Sequence, residues 1–299
     1  MSDPSQLSPR ALGEAIGVSQ SSLKRWADRG LLEVHRTAGG HRRIEVREAL
    51  RFIREAGFTV IRPELLGLEG AELAASLEEG LDSAVDRFRR ALTAGDEDIA
   101  RSVILGLFAE GRPLSLIFDE VFRPALAAIG LLWLDDPHGI TIEHRATDIC
   151  AHVIGDLRGR IAPKEGRRVA IGGAPSGDPY HLPSAMIATA LAAEGYRPMN
   201  LGPNFPVHGL AEAAAREEAR LVWLSVTAAP AVGELRDGIL DLVDQLHPRG
   251  IPVIAGGAAL GALELPDLVG LHVGRSMADL VAIAREIGAA GSGDLAHRA

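Results

Sequence analysis

The stretch RVAIGGAPSGDPYHLPSAMIATALAAEGYRPMNLG, residues 168–202, decides how the chain folds. Val169–Gly173 is a short uncharged run that ends in two glycines, the pattern of a buried strand. Ala174–Pro183 has the proline, glycine, serine and aspartate of a loop. Leu182–Glu194 is small and aliphatic without a break, as in a buried helix, and Pro198–Leu201 returns to a strand. Strand, loop, helix and strand make one βαβ unit.

The alternation continues toward the C-terminus. Leu221–Thr227, Pro252–Ala255 and Leu271–Gly274 read as strands, and Ala211–Ala219, Gly233–Gln245 and Ser276–Ile287 as helices. This period predicts a doubly wound parallel sheet over residues 167–290, with a loose Gly/Ser/Ala-rich tail over 291–299. No Gly-x-Gly-x-x-Gly opens the first helix, which excludes the usual dinucleotide site. Ligands of such sheets sit at the carboxyl ends of the strands. There the first loop supplies His181, the third strand ends at Ser225-Val226-Thr227 and the fourth at Gly256-Gly257. An imidazole for a metal, hydroxyls for polar groups and glycines for close backbone approach suit a large planar ligand with a long tail.

Toward the N-terminus, residues 62–163 read as helical. Leucine and alanine recur at three- and four-residue spacing over Ala71–Thr93, Glu97–Glu110, Pro113–Ile129 and Ile142–Arg160. Turn composition at Gly95, Gly111-Arg112-Pro113 and Asp136–Gly139 separates them, so a four-helix bundle is expected. Residues 1–57 differ again. Ser8-Pro9 starts a helix that Gly17 ends, and Gln20–Asp28 is a second helix with Leu23 and Trp26 inward. That is helix-turn-helix spacing. Leu31–Ile44 reads as a hairpin with its tip at Ala38-Gly39-Gly40, and Glu45–Ala56 as a third helix.

Composition agrees with three packed segments. The chain has 299 residues, 47% of them hydrophobic, which is ample for real cores and excludes global disorder. The single Cys150 excludes a disulfide framework and a cysteine-rich metal cluster, and MSDPSQLSPR is not a secretory signal. No apolar stretch approaches the ~20 residues of a membrane span. The expected location is the cytoplasm, with no membrane partner. Residues 1–55 carry ten Lys and Arg against seven Asp and Glu, while the rest of the chain is strongly acidic within a net charge of −9. A basic head on an acidic body suits a small nucleic-acid-binding module joined to a sensor or enzyme.

Residues 7–55 resemble the MerR-type winged helix. The likeness rests on Ser22-Leu23-Lys24-Arg25-Trp26, Gly30-Leu31-Leu32 and Arg36-Thr37-Ala38-Gly39-Gly40-His41-Arg42-Arg43, with Ile44 replacing the common aromatic. It implies that Ser21, Lys24 and Arg25 enter a major groove of double-stranded operator DNA, and that Arg36, His41, Arg42 and Arg43 clamp the flanking phosphates. The spacing of His181, Ser225-Val226-Thr227 and Gly256-Gly257 resembles the cobalamin-binding domain of methionine synthase, mutases and corrinoid proteins, whose motif is Asp-x-His-x-x-Gly, Ser-x-Leu and Gly-Gly. The letters depart from it. Pro179 stands where the acid belongs, with Asp178 one residue early as a substitute, and Ser184 replaces the glycine.

Trp133, followed nine residues later by Glu143-His144, is similar to the Trp-x9-Glu-His of light-sensing cobalamin regulators of the CarH/LitR type. The resemblance implies that Trp133, Glu143 and His144 surround the upper face of the corrinoid and that His181 ligates its cobalt. Leu134 stands where the best-known members have the histidine that captures cobalt after light, so a bis-histidine adduct is not expected. The combined reading is a non-enzymatic regulator, a repressor, acting as a homo-oligomer (dimer or tetramer). Adenosylcobalamin is the leading ligand. The pocket is also open to a bilin, or to none. The competing readings are a corrinoid carrier or methyltransferase-type subunit, and a ligand-free regulator with a degenerate pocket.

Overall fold

The computed structural model describes residues 6–36, 40–66, 81–134, 137–162 and 168–296. The chain separates into two compact units, Met1–Ala162 and Pro163–Ala299.

The first unit begins with β1 (Gln6–Leu7) and α1 (Pro9–Ile16). Ser8 caps α1, its Oγ accepting from the amide of Ala11 at 3.1 Å, and Gly17 ends the helix in the left-handed conformation at φ +69°. Ser19 caps α2 (Gln20–Asp28) in the same way, accepting from the Ser22 amide at 3.2 Å. The expected hairpin forms from β2 (His35–Arg36) and β3 (Arg42–Glu45), while residues 37–39 of its tip lie outside the described residues. β1 pairs antiparallel with β3, giving a three-stranded sheet of order β1-β3-β2. Two residues carry no period, so β1 was not readable in the sequence.

α3 (Val46–Ala56) anchors this sheet. The carboxylate of buried Glu48 accepts from the Glu33 amide at 2.8 Å and from Arg51, whose guanidinium also donates to the Leu31 carbonyl at 3.0 Å. Beside Glu48 and Glu55, Arg51 is held firmly protonated. Trp26 packs on Phe52 and Phe58 with ring centroids 5.2 and 5.3 Å away, fixing α2 against α3.

The helical segment forms α4 (Leu81–Ala94), α5 (Glu97–Ala109), a composite α6 and α7 (Gly139–Gly159). The expected first helix from Ala71 falls partly on residues outside the described set. Helix α6 runs from Leu114–Leu116 through a π segment, Ile117–Phe122, into Arg123–Ile129. Pro124 has no amide to donate to the carbonyl of Glu120 and crowds it, so the turn widens there. Phe88, Phe118 and Phe122 form the aromatic centre of the bundle, with Phe122 4.9 Å from Phe88 and 5.4 Å from Phe118. Cys150 is buried on α7, and burial pushes its thiol up to about 12.

The second unit is a five-stranded parallel sheet: β4 (Val169–Gly173), β5 (Arg197–Asn200), β6 (Leu221–Ser225), β7 (Val253–Gly256) and β8 (Leu271–Gly274). The strand order is β5-β4-β6-β7-β8, so the direction of winding switches between β4 and β6. Helices α8 (Leu182–Ala193), α9 (His208–Arg216), α10 (Val232–Leu246) and α11 (Met277–Ala296) connect and cover it. Strands β4 and β6 are buried along their whole length, which is why they read as unbroken apolar runs. The tail differs from expectation: α11 continues to Ala296, through most of the stretch expected to be loose, as an extension of the helix already formed before it. Residues 297–299 lie outside the described residues. Among the described residues, no helix is long and apolar enough to cross a membrane.

Candidate functional site

In the first unit the proposed contact residues surround a groove of about 250 Å³ between α2 and the hairpin. Gln20, Ser21 and Lys24 line it from α2, Arg42 and Ile44 from β3, and Val34 from the residue before β2. Ser21, Lys24 and Arg25 are exposed, because Leu23 takes the inward position of the helix. Arg25 reaches back to the Ser22 hydroxyl at 3.3 Å. The register pairs Arg36 with Arg42 and His35 with Arg43. Directly paired residues of an antiparallel ladder share a face, and successive residues alternate. Arg36 and Arg42 therefore lie on the groove side with Ile44, and Arg43 and His35 on the opposite side. The clamp expected from Arg36, His41, Arg42 and Arg43 is thus divided between two faces.

Two guanidiniums opposed across a ladder repel, which makes that face receptive to an anion. Arg42 is steadied by Asp28 at 3.6 Å, and Arg36 and His41 are exposed near the hairpin tip. In the helical bundle, Trp133 falls in a 3-10 turn, Leu132–Leu134, that packs on α7, and its side chain lies outside the described set. Glu143 is half-buried and His144 exposed in the first turns of α7. Leu131 and Leu134 on this connection and Ile140 in the first turn of α7 are exposed.

In the second unit His181, Ser225, Thr227, Gly256 and Gly257 all stand at the carboxyl ends of β4, β6 and β7, as the strand order requires. His181 sits at the N-terminal boundary of α8, partly exposed, and among the described residues its imidazole has no hydrogen-bond or ion-pair partner. Asp178 does not support it. The Asp178 carboxylate is fully buried and accepts three backbone amides: Tyr180 at 3.0 Å, Thr227 at 2.5 Å and Ala228 at 3.0 Å. It ties the loop after β4 to the end of β6 and is used up in doing so.

The glycine pair is also committed internally. A Cβ on Gly257, at φ +120°, would meet the Val226 carbonyl at 2.2 Å, and one on Gly256 the Gly274 carbonyl at 2.7 Å. These glycines let strand ends approach each other. Ser225 is buried and Thr227 half-buried. Around this rim Tyr180, Val232 and Val273 are exposed apolar side chains, so its outer surface suits a flat apolar body. Among the described residues no three His, Cys, Asp or Glu side chains gather to hold a bare metal ion. His181 alone fits the axial position of a preformed metal macrocycle.

Residues 84–157, from α4 to α7, match the B12 binding domain family. The chain thus carries a B12-binding-type helical domain. A comparison with curated proteins finds no match. Among solved structures, the chain is similar to the monomethylamine corrinoid protein of Methanosarcina barkeri, with 18% identity and a TM-score of 0.50 over 70% of this chain and 100% of that one. It is also similar, at a TM-score of 0.35, to the methanol:cobalamin methyltransferase complex of the same organism (19% identity, 76% of this chain and 89% of that one). A cobalamin-binding protein of Desulfitobacterium hafniense gives the same TM-score at 18% identity, over 70% of this chain and 98% of that one. The first of these likenesses is one of fold: helical segment followed by parallel sheet.

Sequence reasoning missed Asp178 as a backbone clamp and Trp223 as the largest fully buried side chain. The signal for Trp223 was available, since one aromatic interrupts the aliphatic run of β6. The signal for Asp178 was not, because the Thr227 and Ala228 amides that it ties to its loop are 49 and 50 residues away in sequence.

Proposed function

We propose that this chain is a DNA-binding transcription regulator of MerR type, a cytoplasmic repressor, whose DNA affinity and homo-oligomeric state respond to a cobalamin-type tetrapyrrole. The observation that carries the DNA half is the groove in the first unit. Lys24 and Ser21 on α2 and the Arg36–Arg42 pair on the hairpin converge on one exposed surface. This convergence supports reading α2 as a recognition helix and the hairpin as a phosphate-binding wing. The B12 binding domain match and the corrinoid-protein fold support the sensor half. Ligand binding biases one oligomeric arrangement, and linked modules multiply a weak single-site DNA affinity. Light-driven loss of an adenosyl group from cobalt would remove that bias, the photochemistry being the cofactor's own.

A second reading, a corrinoid carrier or methyltransferase-type subunit, is favoured by the comparisons themselves, because the matched fold covers the whole of a corrinoid protein. The 30% of this chain outside that match discriminates. Selection of genomic fragments on immobilised full chain, followed by anisotropy on the selected duplex, tests the regulator. Lys24→Ala and Arg42→Ala should each weaken binding about tenfold and flatten the salt slope by about one per lost phosphate contact. Failure to enrich any duplex, or variants with unchanged affinity and slope, would leave the carrier as the better account.

A further inference from the structure

The rim of the second unit is backed by a polar relay, buried at Trp223 and Ser184 and exposed at Asn200, that belongs to no residue pair expected from the sequence. Trp223, in the middle of β6, is fully buried, and its indole lies so close to Gly172 of β4 that a Cβ there would meet the ring at 2.4 Å. The indole Nε1 donates to Ser184 Oγ at 3.0 Å. Ser184 Oγ in turn donates to Asn200 Oδ1 at 2.9 Å, and that same oxygen accepts from the Gly202 amide at 3.1 Å. Ser184 is itself fully buried. The relay therefore joins the first turn of α8, the end of β5 and the centre of β6; its two inner members, Ser184 and Trp223, are buried and mutually bonded, while Asn200 ends it at the exposed surface.

Its position matters because Ser184 lies three residues after His181 on α8, on the same helix face. A metal macrocycle docked on the His181 imidazole could extend a substituent inward only along that face, between α8 and strands β4 and β6. Ser184 and the Trp223 indole fill that course, and Gly172 gives its space to the indole and not to a guest. The clamp formed by Asp178 and the close contact of Gly257 with Val226 close the neighbouring strand ends. What remains is the outer rim, with Tyr180, Val232, Val273 and a partly exposed imidazole.

We infer that this site takes a flat tetrapyrrole on its rim but admits no nucleotide tail between α8 and the sheet, so that tail-less tetrapyrroles are its ligands. The inference rests on the tetrapyrrole-sensing reading above and narrows it: cobalamin, which carries its nucleotide on a long arm, must either keep that arm outside or displace the relay, and each costs affinity. A corrinoid without the nucleotide, or a metal-free linear tetrapyrrole, meets neither obstacle.

The test titrates the full chain with cobalamin, with cobinamide (the same corrinoid lacking its nucleotide) and with biliverdin, reading visible absorbance and tryptophan fluorescence. Cobinamide or biliverdin should bind at least tenfold more tightly than cobalamin. Loss of cobinamide binding, but not of biliverdin binding, in His181→Ala identifies the metal macrocycle as the ligand docked on the imidazole. Trp223→Gly with Ser184→Gly should cut the preference over cobalamin by tenfold. Trp223→Phe, which keeps the ring and is the safer folder, should retain it. Cobalamin binding as tightly as either tail-less compound in the unmodified chain would overturn the inference while leaving tetrapyrrole sensing intact. No binding by any of the three would overturn both.

Discussion

The groove of the first unit and the rim of the second are each built from motif residues, yet they treat those residues in opposite ways. In the groove, Ser21, Lys24, Arg25 and Arg36 stay exposed, and their support comes from other side chains: Leu23 beneath α2, Glu48 and Arg51 behind the hairpin. On the rim, the acid that stands one residue before the motif's position, the serine in place of the motif's glycine and the glycine pair are absorbed into the fold. Asp178 holds three amides, Ser184 holds Trp223 and Asn200, and Gly257 fits against Val226. A charged contact residue on a surface keeps its chemistry whatever packs below it. A small or acidic residue at a strand end is open to capture by the nearest backbone or side-chain donor, because a buried polar group without a partner is costly.

Three substitutions sharpen or break this contrast. Asp178→Ala should have the largest effect, lowering stability by about 3 kcal/mol, since it strips charge-assisted bonds from three amides that have been taken out of water. Denaturant unfolding would show it, and a loss below about 1 kcal/mol would mean that the carboxylate is not the clamp described. Ser184→Ala comes next, at about 1–2 kcal/mol, by orphaning the buried Trp223 indole N–H. A shift in tryptophan emission should accompany it. Arg36→Ala should be the mildest, within about 0.5 kcal/mol of the parent, because it removes an exposed side chain opposed to Arg42. If Arg36→Ala were as destabilising as Ser184→Ala, the groove would be structural and the contrast between the two regions would collapse.

Much of the fold was legible in the chain. The buried parallel strands gave themselves away as uncharged runs, and β4 and β8 have the bounds their composition indicates. Ser8 marked a helix start because a hydroxyl one residue before a helix has few other uses. The π segment of α6 was less legible: Pro124 announces a disturbance, but whether a helix breaks, kinks or widens depends on what packs against it, here Phe88 on Phe122.

The sequence by itself determined the order of elements, the carboxyl-end placement of His181, Ser225, Thr227, Gly256 and Gly257, and the basic, exposed character of α2 and the hairpin, since these follow from periodicity, strand direction and local charge. Only the tertiary structure decided which face each hairpin arginine takes, that Asp178 serves backbone amides and not His181, and that Trp223 occupies the course beside α8. Those outcomes depend on register and on contacts between segments 16 to 50 residues apart. A one-residue change of register moves a side chain to the other face, and a distant donor can claim a carboxylate that its neighbours in sequence leave open.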